Sequence, residues 1–471
     1  MTTARSLVHR AAVPWSASMT ARLGACTCGL GILLAAGPLH AQPASGPFAG
    51  SVLSAPASAD AVPLSLADAV ARGLRYNLAL VNLEQQVESA RGSRIRALRE
   101  LLPRVEARVD EVRQTRNLAA FGFDSSLFPG IPSVVGPFNL FDARVYASQP
   151  LLDMSARSDV RSKNATLDAV RFEQENARDV VTFVVTSLYL QAVAGESRIQ
   201  AVRTQVSTAE ALLTQATALR NAGVAPGIDV VRAQVQVQAQ RQRQIAAEND
   251  AAKQVIQLAR AIGLSSGQTL QLSDRAALVP GQAASLDEAL RLAAAGRADY
   301  KASLARVQAA EATLRSTRGS ALPSLRVSAD YGTIGSSPAD ARRTYTMALG
   351  VRVPLFDQDR VGRQVENQAA LRQRQAEAAD LVQRIEAEVR TAFLDVQAAE
   401  QQLAVSRERV TLSNQELSLA RTRFSAGVTG NLEVIQAQNE VATAADAEVA
   451  AGYALNVARA TLARALGSSA P

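Results

Sequence analysis

The chain repeats itself, and the repeat constrains its fold more than any other feature, because a unit duplicated along one polypeptide is built twice as the same motif. Two offsets carry it. At +220, Leu66-Ala67-Asp68-Ala69-Val70 matches Leu286-Asp287-Glu288-Ala289-Leu290, and Leu102-Pro103 matches Leu322-Pro323. At +204, Pro150-Leu151-Leu152-Asp153 matches Pro354-Leu355-Phe356-Asp357 and Ala222-Gly223-Val224 matches Ala426-Gly427-Val428. At the same offset Ala233-Gln234 matches Ala437-Gln438, and Ala261-Ile262-Gly263 matches Ala465-Leu466-Gly467. The offset falls by 16 between the two proline landmarks, so the first repeat carries a longer loop between Pro103 and Pro150.

Each repeat reads as helix, strand, loop, strand, very long helix, turn, helix. Strands show as alternation. Leu325, Val327, Ala329 and Tyr331 alternate with Arg326, Ser328 and Asp330, and Tyr345, Met347, Leu349, Val351 and Val353 alternate with polar or small residues. In the first repeat Phe141, Ala143, Val145 and Ala147 oppose Asp142, Arg144, Tyr146 and Ser148, while Val105, Ala107 and Val109 oppose Arg104, Glu106, Arg108 and Asp110. The phase breaks near Val112, as at a bulge or a strand end.

Helices show as spacings of three and four sustained like a coiled-coil seam. One seam runs Val181, Val184, Leu188, Ala192 and onward to Ala216; its counterpart runs Ile385, Val389, Ala392, Val396 and onward to Phe424. Asp153 and Asp357 are expected N-caps, and Gly223 and Gly427 expected stops. A helix from Ser155 to Asn221 or from Arg360 to Ser425 reaches on the order of 100 Å at 1.5 Å per residue. The stretches Leu66–Leu101, Ile228–Ile262, Leu286–Ala321 and Leu432–Leu466 are each roughly half as long at the same rise, so two of them stacked end to end match one long rod. The expected segments are a first repeat over 64–263, an equatorial connection over 264–285, a second repeat over 286–467 and a tail over 468–471.

The N-terminus reads as an export signal over 1–41, with Arg22 before an apolar run Leu23 to Ala36 and a small-residue cleavage site at Leu39-His40-Ala41. That run is too short to span a membrane. Met19 is a possible true start. Leu23-Gly24-Ala25-Cys26 has lipobox residue types, but the apolar run follows the cysteine instead of preceding it. Residues 42–63, rich in Ala, Ser and Pro, read as a flexible lead-in.

Removing 1–41 removes both cysteines (Cys26, Cys28), both histidines (His9, His40) and the only tryptophan, Trp15. The remaining 430 residues hold no thiol nucleophile, no imidazole base and no Cys or His metal ligand, and no cofactor site is legible. Loss of Arg5, Arg10 and Arg22 without any acid takes the net charge from +7 to +4, too balanced to argue for nucleic acid. Gly263 to Gly267 lacks the ending of a phosphate loop, and Asn164-Ala165-Thr166 lies in a helical stretch where a glycan acceptor is not expected.

Two hairpins give four strands with unpaired outer edges. Four strands cannot close, whereas three chains supply twelve, and a closed barrel with apolar residues outward and Arg, Asp, Ser and Thr inward suits an outer membrane around a wet pore. A two-sheet domain with one wet face is the alternative that the pattern alone leaves open.

The duplicated helix-turn-helix resembles that of the outer membrane efflux proteins, of which TolC is the best-known member. The resemblance runs from about Leu64 to Gly467. It rests on Arg423-Phe424-Ser425-Ala426-Gly427-Val428-Thr429-Gly430-Asn431-Leu432-Glu433-Val434 before Ala437-Gln438, and on Ala222-Gly223-Val224-Ala225-Pro226-Gly227-Ile228-Asp229-Val230 before Ala233-Gln234. The strand-to-helix stretches Pro150–Asp153 and Pro354–Asp357 are similar too, although Met154-Ser155 and Gln358-Asp359 replace a glycine pair often found there. The resemblance implies a mainly α homotrimer in which a twelve-stranded transmembrane β-barrel is continued by a twelve-helix periplasmic α-barrel. It further implies a passive duct in the outer membrane, fed by an inner-membrane transporter through a periplasmic adaptor. Drug, metal and protein exporters all use such ducts, so it names no cargo.

On that footing Gly223, Val224, Gly427, Val428 and Thr429 are expected to dock the adaptor, with helix capping as the plainer role of the glycines. Asp229 and Glu433 are expected at the periplasmic gate, with Arg421 and Arg423 as partners; complementing a helix dipole is the plainer role of the two acids. Arg104, Glu106, Arg108, Asp142, Arg144, Arg326, Asp330 and Arg352 are expected in the barrel lumen, as wetting groups before a binding site. A periplasmic adaptor or structural coiled-coil protein is the alternative function, disfavoured by two equivalent tips and two equivalent β-hairpins; an enzyme is a more distant third.

Overall fold

In a computed structural model, residues 48, 50–54, 60–122, 130, 132–274 and 285–468 are described. All belong to one compact unit, Ser45–Pro471. The expected export signal, part of the first hairpin loop including Phe123 and Phe128-Pro129, much of the equatorial connection and most of the tail lie outside the described residues.

The first repeat comprises β1 (Val62–Leu64), α1 (Leu66–Tyr76), α2 (Leu78–Arg99), β2 (Arg104–Asn117), β3 (Val134–Leu152), α3 (Met154–Asn221) and α4 (Gly227–Ala261). After β4 (Leu270–Leu272) the second repeat follows as α5 (Leu286–Gly296), α6 (Ala298–Gly319), β5 (Ser324–Gly335), β6 (Arg342–Arg352), α7 (Gln358–Ser425) and α8 (Asn431–Ala465). The two long helices have 68 residues each, about 100 Å of rise. Both start where a carboxylate captures a free amide: Asp153 accepts from the Ala156 N–H at 2.9 Å and Asp357 from that of Arg360 at 3.2 Å.

The shorter helices stack along the rods. Near its start α3 meets α6 through Ser155–Ser316, Ser162–Thr313 and the Glu173–Arg306 ion pair. Further down it meets α4 through Arg203–Glu248 and Arg241–Glu210, and α8 through Arg198–Asp446. Along α7 the order is the same, with Asn367–Thr317 on α6 before Glu400–Arg459 and Arg409–Glu440 on α8. The cores at mid-height are duplicated as well. Val181, Val185, Leu258 and Ile262 in the first, and Ile385, Val389, Leu462 and Leu466 in the second, are all buried at the +204 offset. α3 is apolar and long enough to cross a membrane by length and composition, but Val181, Val185, Tyr189 and Ala192 on it are buried in this core.

Two sequence expectations need correction. The helices over Leu66–Leu101 and Leu286–Ala321 are each two helices, broken at Asn77 (φ −64°, ψ 128°) and Arg297 (φ −61°, ψ 119°), where an extended residue turns the chain at mid-height. And 42–63 is not wholly a free lead-in. Val52 and Ser54 donate backbone bonds to Tyr76 and Gly263, Asn77 donates to the Phe48 carbonyl, and Val62–Leu64 pairs in parallel with Leu270–Leu272. Composition missed these ties because they run mainly through the backbone, and those of Ser54 and Val62–Leu64 reach partners some two hundred residues away.

The β part is one antiparallel sheet in the order β2-β3-β5-β6, leaving β2 and β6 as edges among the described residues. The phase break near Val112 is a register shift between Gln114 and Arg116, and the strand continues to Asn117.

Candidate functional site: the two faces of the sheet and the hairpin tips

Register places every sequence-predicted lumen residue on one face of the sheet. Arg104 stands opposite Ser148, Glu106 opposite Tyr146, Arg108 opposite Arg144 and Asp110 opposite Asp142. Tyr146 in turn opposes Asp330, Pro150 opposes Arg326, and Arg352 opposes Ser324. Directly opposed residues share a face, so these form one continuous polar surface. The other face carries Val105, Val109, Val145, Tyr331, Tyr345, Met347, Leu349 and Val351, all exposed, Tyr345 and Met347 at 78%. A soluble chain does not leave such a band to water.

The polar face is internally paired at mid-strand. Arg144 forks onto Asp142, with Nε donating to Oδ1 at 2.7 Å, and reaches Asp330 at 3.0 Å. It passes over Gly332, where a Cβ would lie 2.6 Å from the Arg144 Cα and run into the Ala143 carbonyl. The Arg108 and Arg144 guanidiniums both approach the Tyr146 ring, each 5.3 Å from its centre, while Arg108 also pairs with Glu106 at 3.1 Å. Arg326 and Arg352 are exposed and form no ion pair among the described residues.

At the opposite end of the rods the two tips are built alike. The Gly223 N–H bonds the Arg220 carbonyl and that of Val224 the Leu219 carbonyl; Gly427 and Val428 repeat this onto Phe424 and Arg423. This is a Schellman closure, which needs φ near +70° at its glycine, and φ is +74° at Gly223 and +72° at Gly427. Val224 and Val428 each project at 68% exposure.

The two first-turn acids part company. Glu433 is half-exposed and pairs with Arg423 at 3.6 Å, as the sequence suggested. Asp229 is 2% exposed and reaches Arg232 at 3.6 Å, with neither Arg421 nor Arg423 as its partner. It is packed against the other tip: Asn431, itself fully buried, donates through Nδ2 to the Asp229 carbonyl at 2.7 Å. Gln236–Asn439 continues this polar seam at 2.9 Å. Within a single chain, then, Asp229 joins two hairpins and is not displayed. Asn431 is the residue sequence reasoning missed; at +204 it stands where the first repeat has Gly227, so the duplication hid it.

The outer membrane efflux protein family matches this chain over residues 71–264 and 289–468. The chain belongs to that family. A relative from Pseudomonas putida, described as a pyoverdine export outer membrane protein, is 25% identical over 410 residues, covering 84% of each chain. Among solved structures, the MtrE outer membrane channel of Neisseria gonorrhoeae superposes with a TM-score of 0.73 at 18% identity, covering 89% of this chain and 95% of its own. The CmeC outer membrane channel of Campylobacter jejuni gives 0.72 at 16%, covering 86% of both.

As an efflux protein of the outer membrane, the chain serves as a channel of export machinery. Its exposed apolar face is the surface such a location requires. β6 has 11 residues, about 37 Å of strand; at a tilt near 45° that spans about 26 Å, the height of an outer membrane apolar band.

Proposed function

We propose that three copies close into one duct, twelve strands in the membrane and twelve helical columns below it, which receives cargo from an inner-membrane transporter through a periplasmic adaptor held at the tips. The observation that supports this reading most is the open sheet: β2 and β6 are unpaired edges, one face is apolar and exposed, and the other bears arginines and carboxylates. Inside a membrane an open edge costs several kcal/mol for each unsatisfied backbone group, so the edges must meet other strands. Two copies would give eight strands, whose interior side chains fill. Twelve leave room for water around Arg104, Arg144, Arg326, Asp330 and Arg352. Cyclic symmetry then joins β6 of each copy to β2 of the next.

At the other end, Val224 and Val428 offer apolar knobs beside Gly223, Gly427 and Thr429, and six copies of one motif ring the entrance. Glu433 with Arg423 lines that entrance, Arg421 lies exposed beside it, and Asp229 holds neighbouring hairpins together behind it. Pyoverdine, the cargo for which the Pseudomonas putida relative is named, is one substrate to assay in export.

Cysteine cross-linking tests the assembly, since the only natural cysteines, Cys26 and Cys28, lie in the expected signal. Val105→Cys or Val109→Cys on β2 is combined with Met347→Cys or Leu349→Cys on β6. Oxidation is expected to give bands of two and three chains for at least one pairing. Cross-linking confined to single chains contradicts the arrangement.

A further inference from the structure

Along the polar face the charges are unevenly distributed. Above the sheet's base, Arg108, Arg116, Arg144 and Arg342 stand against Glu106, Asp110, Asp142 and Asp330, four of each sign. The base, next to the helices, holds Arg104, Arg326 and Arg352 with no acid among them on that face. Arg326 is flanked by Pro150 on one side and Gly350 on the other, neither of which offers an acceptor side chain. Arg352 is its diagonal neighbour, about 7–8 Å away. Arg104 reaches only Glu106, at 3.8 Å, and Glu106 is shared with Arg108 at 3.1 Å. Two of the acids just below are engaged as helix caps. Asp153 caps α3, and Asp357 caps α7 with Arg363 3.6 Å away.

We propose that Arg104, Arg326 and Arg352 form an anion-attracting collar where the barrel meets the helices, selecting cargo that bears several carboxylate or phosphate groups. The proposal rests on the trimeric duct described above. Three copies place nine guanidiniums around the base of the barrel, and the junction of β6 with the next copy's β2 sets Arg352 and the neighbour's Arg104 on adjacent strands at that base. Like charges so close are unfavourable unless an anion passes between them, and arginine's planar fork matches carboxylate and phosphate oxygens.

Screening dictates the conditions of the test. At 1 M salt charges are shielded beyond about 3 Å, whereas at about 0.01 M the field extends some 30 Å, enough to fill the bore. Purified channel is inserted into planar bilayers, and citrate or spermine is added on the barrel side. At low salt citrate is expected to reduce the native current at roughly tenfold lower concentration than in the variant carrying Arg104→Gln, Arg326→Gln and Arg352→Gln, within the range by which a charged cleft concentrates counter-ions. The difference is expected to vanish at 1 M salt, and spermine to show the reverse one, blocking the variant at lower concentration than the native channel. The single variant Arg326→Gln, whose neighbours are Gly350 and Pro150, is expected to shift citrate sensitivity in the same direction by about threefold. Equal citrate sensitivity in native and variant channels, or stronger block by spermine than by citrate from this side, overturns the collar and leaves the duct standing. A native protein that never conducts overturns the duct, and the collar with it.

Discussion

Gly332 shows how one residue lets the polar face form. Arg144 lies across it to reach Asp330, in space that any side chain at 332 would occupy. Gly332→Ala is expected to destabilise the assembled sheet by about 1–3 kcal/mol, as overpacking commonly does, and to lower the temperature at which the assembly dissociates in detergent. An unchanged dissociation temperature would show that Arg144 and the strand yield freely. At the tips, Asn431→Ala removes the bond to the Asp229 carbonyl from a fully buried site, a loss of about 1–2 kcal/mol. Faster amide exchange is expected on both sides of the seam, around Val230 and Val434, with no change at mid-height around Val185. Exchange altered at neither tip would remove the tether between hairpins.

Among the elements, the joint between α5 and α6 carries a pH dependence of defined sign. Burial pushes the Asp299 carboxyl up, but Arg297 donates to both its oxygens, at 3.0 and 2.6 Å, and the net position is below the ordinary aspartate value. A carboxyl lowered on folding contributes its full stability above the unfolded value of about 3.9 and loses it as pH falls through the lower folded value. The stability difference between native protein and Asp299→Asn, followed by thermal unfolding, is therefore expected to be flat from neutral pH down to about 5 and to shrink below about 4. Arg297→Met strands the half-buried Asp299 and frees Glu388, and is expected to cost about 1–3 kcal/mol, the loss of a charge-assisted pair at a partly desolvated carboxylate. This joint was not legible in the sequence. Asn77 and Arg297 sit at matching positions of the two repeats and break the helix by different means: Asn77 caps α2 with its own side chain, whereas Arg297 caps nothing and is held by Asp299 and Glu388. The rods, their caps at Asp153 and Asp357 and their stops at Gly223 and Gly427 were legible, because local spacing and residue type determine them. The polar face was legible for the same reason, since alternation of period two leaves only one way for Arg104, Arg144 and Arg352 to point. The role of Asp229 was not, because it depends on Asn431 two hundred residues away.

At the level of the whole molecule, an open sheet with an exposed apolar face, two rods and two matched tips make sense together only if copies complete one another. Docking is expected to depend on the tips alone. Val224→Arg with Val428→Arg should leave conductance in bilayers unchanged while reducing export in cells at least tenfold, because charge replaces the apolar knobs that two helical hairpins present. Lost conductance in that variant would place the defect in the duct itself. The central claim is that identical chains close the barrel. It is tested most directly by the mass of the purified full chain in detergent, by light scattering with the detergent contribution subtracted. The result predicted is three chains per particle; a particle of one chain, stable and free of partners, would contradict it.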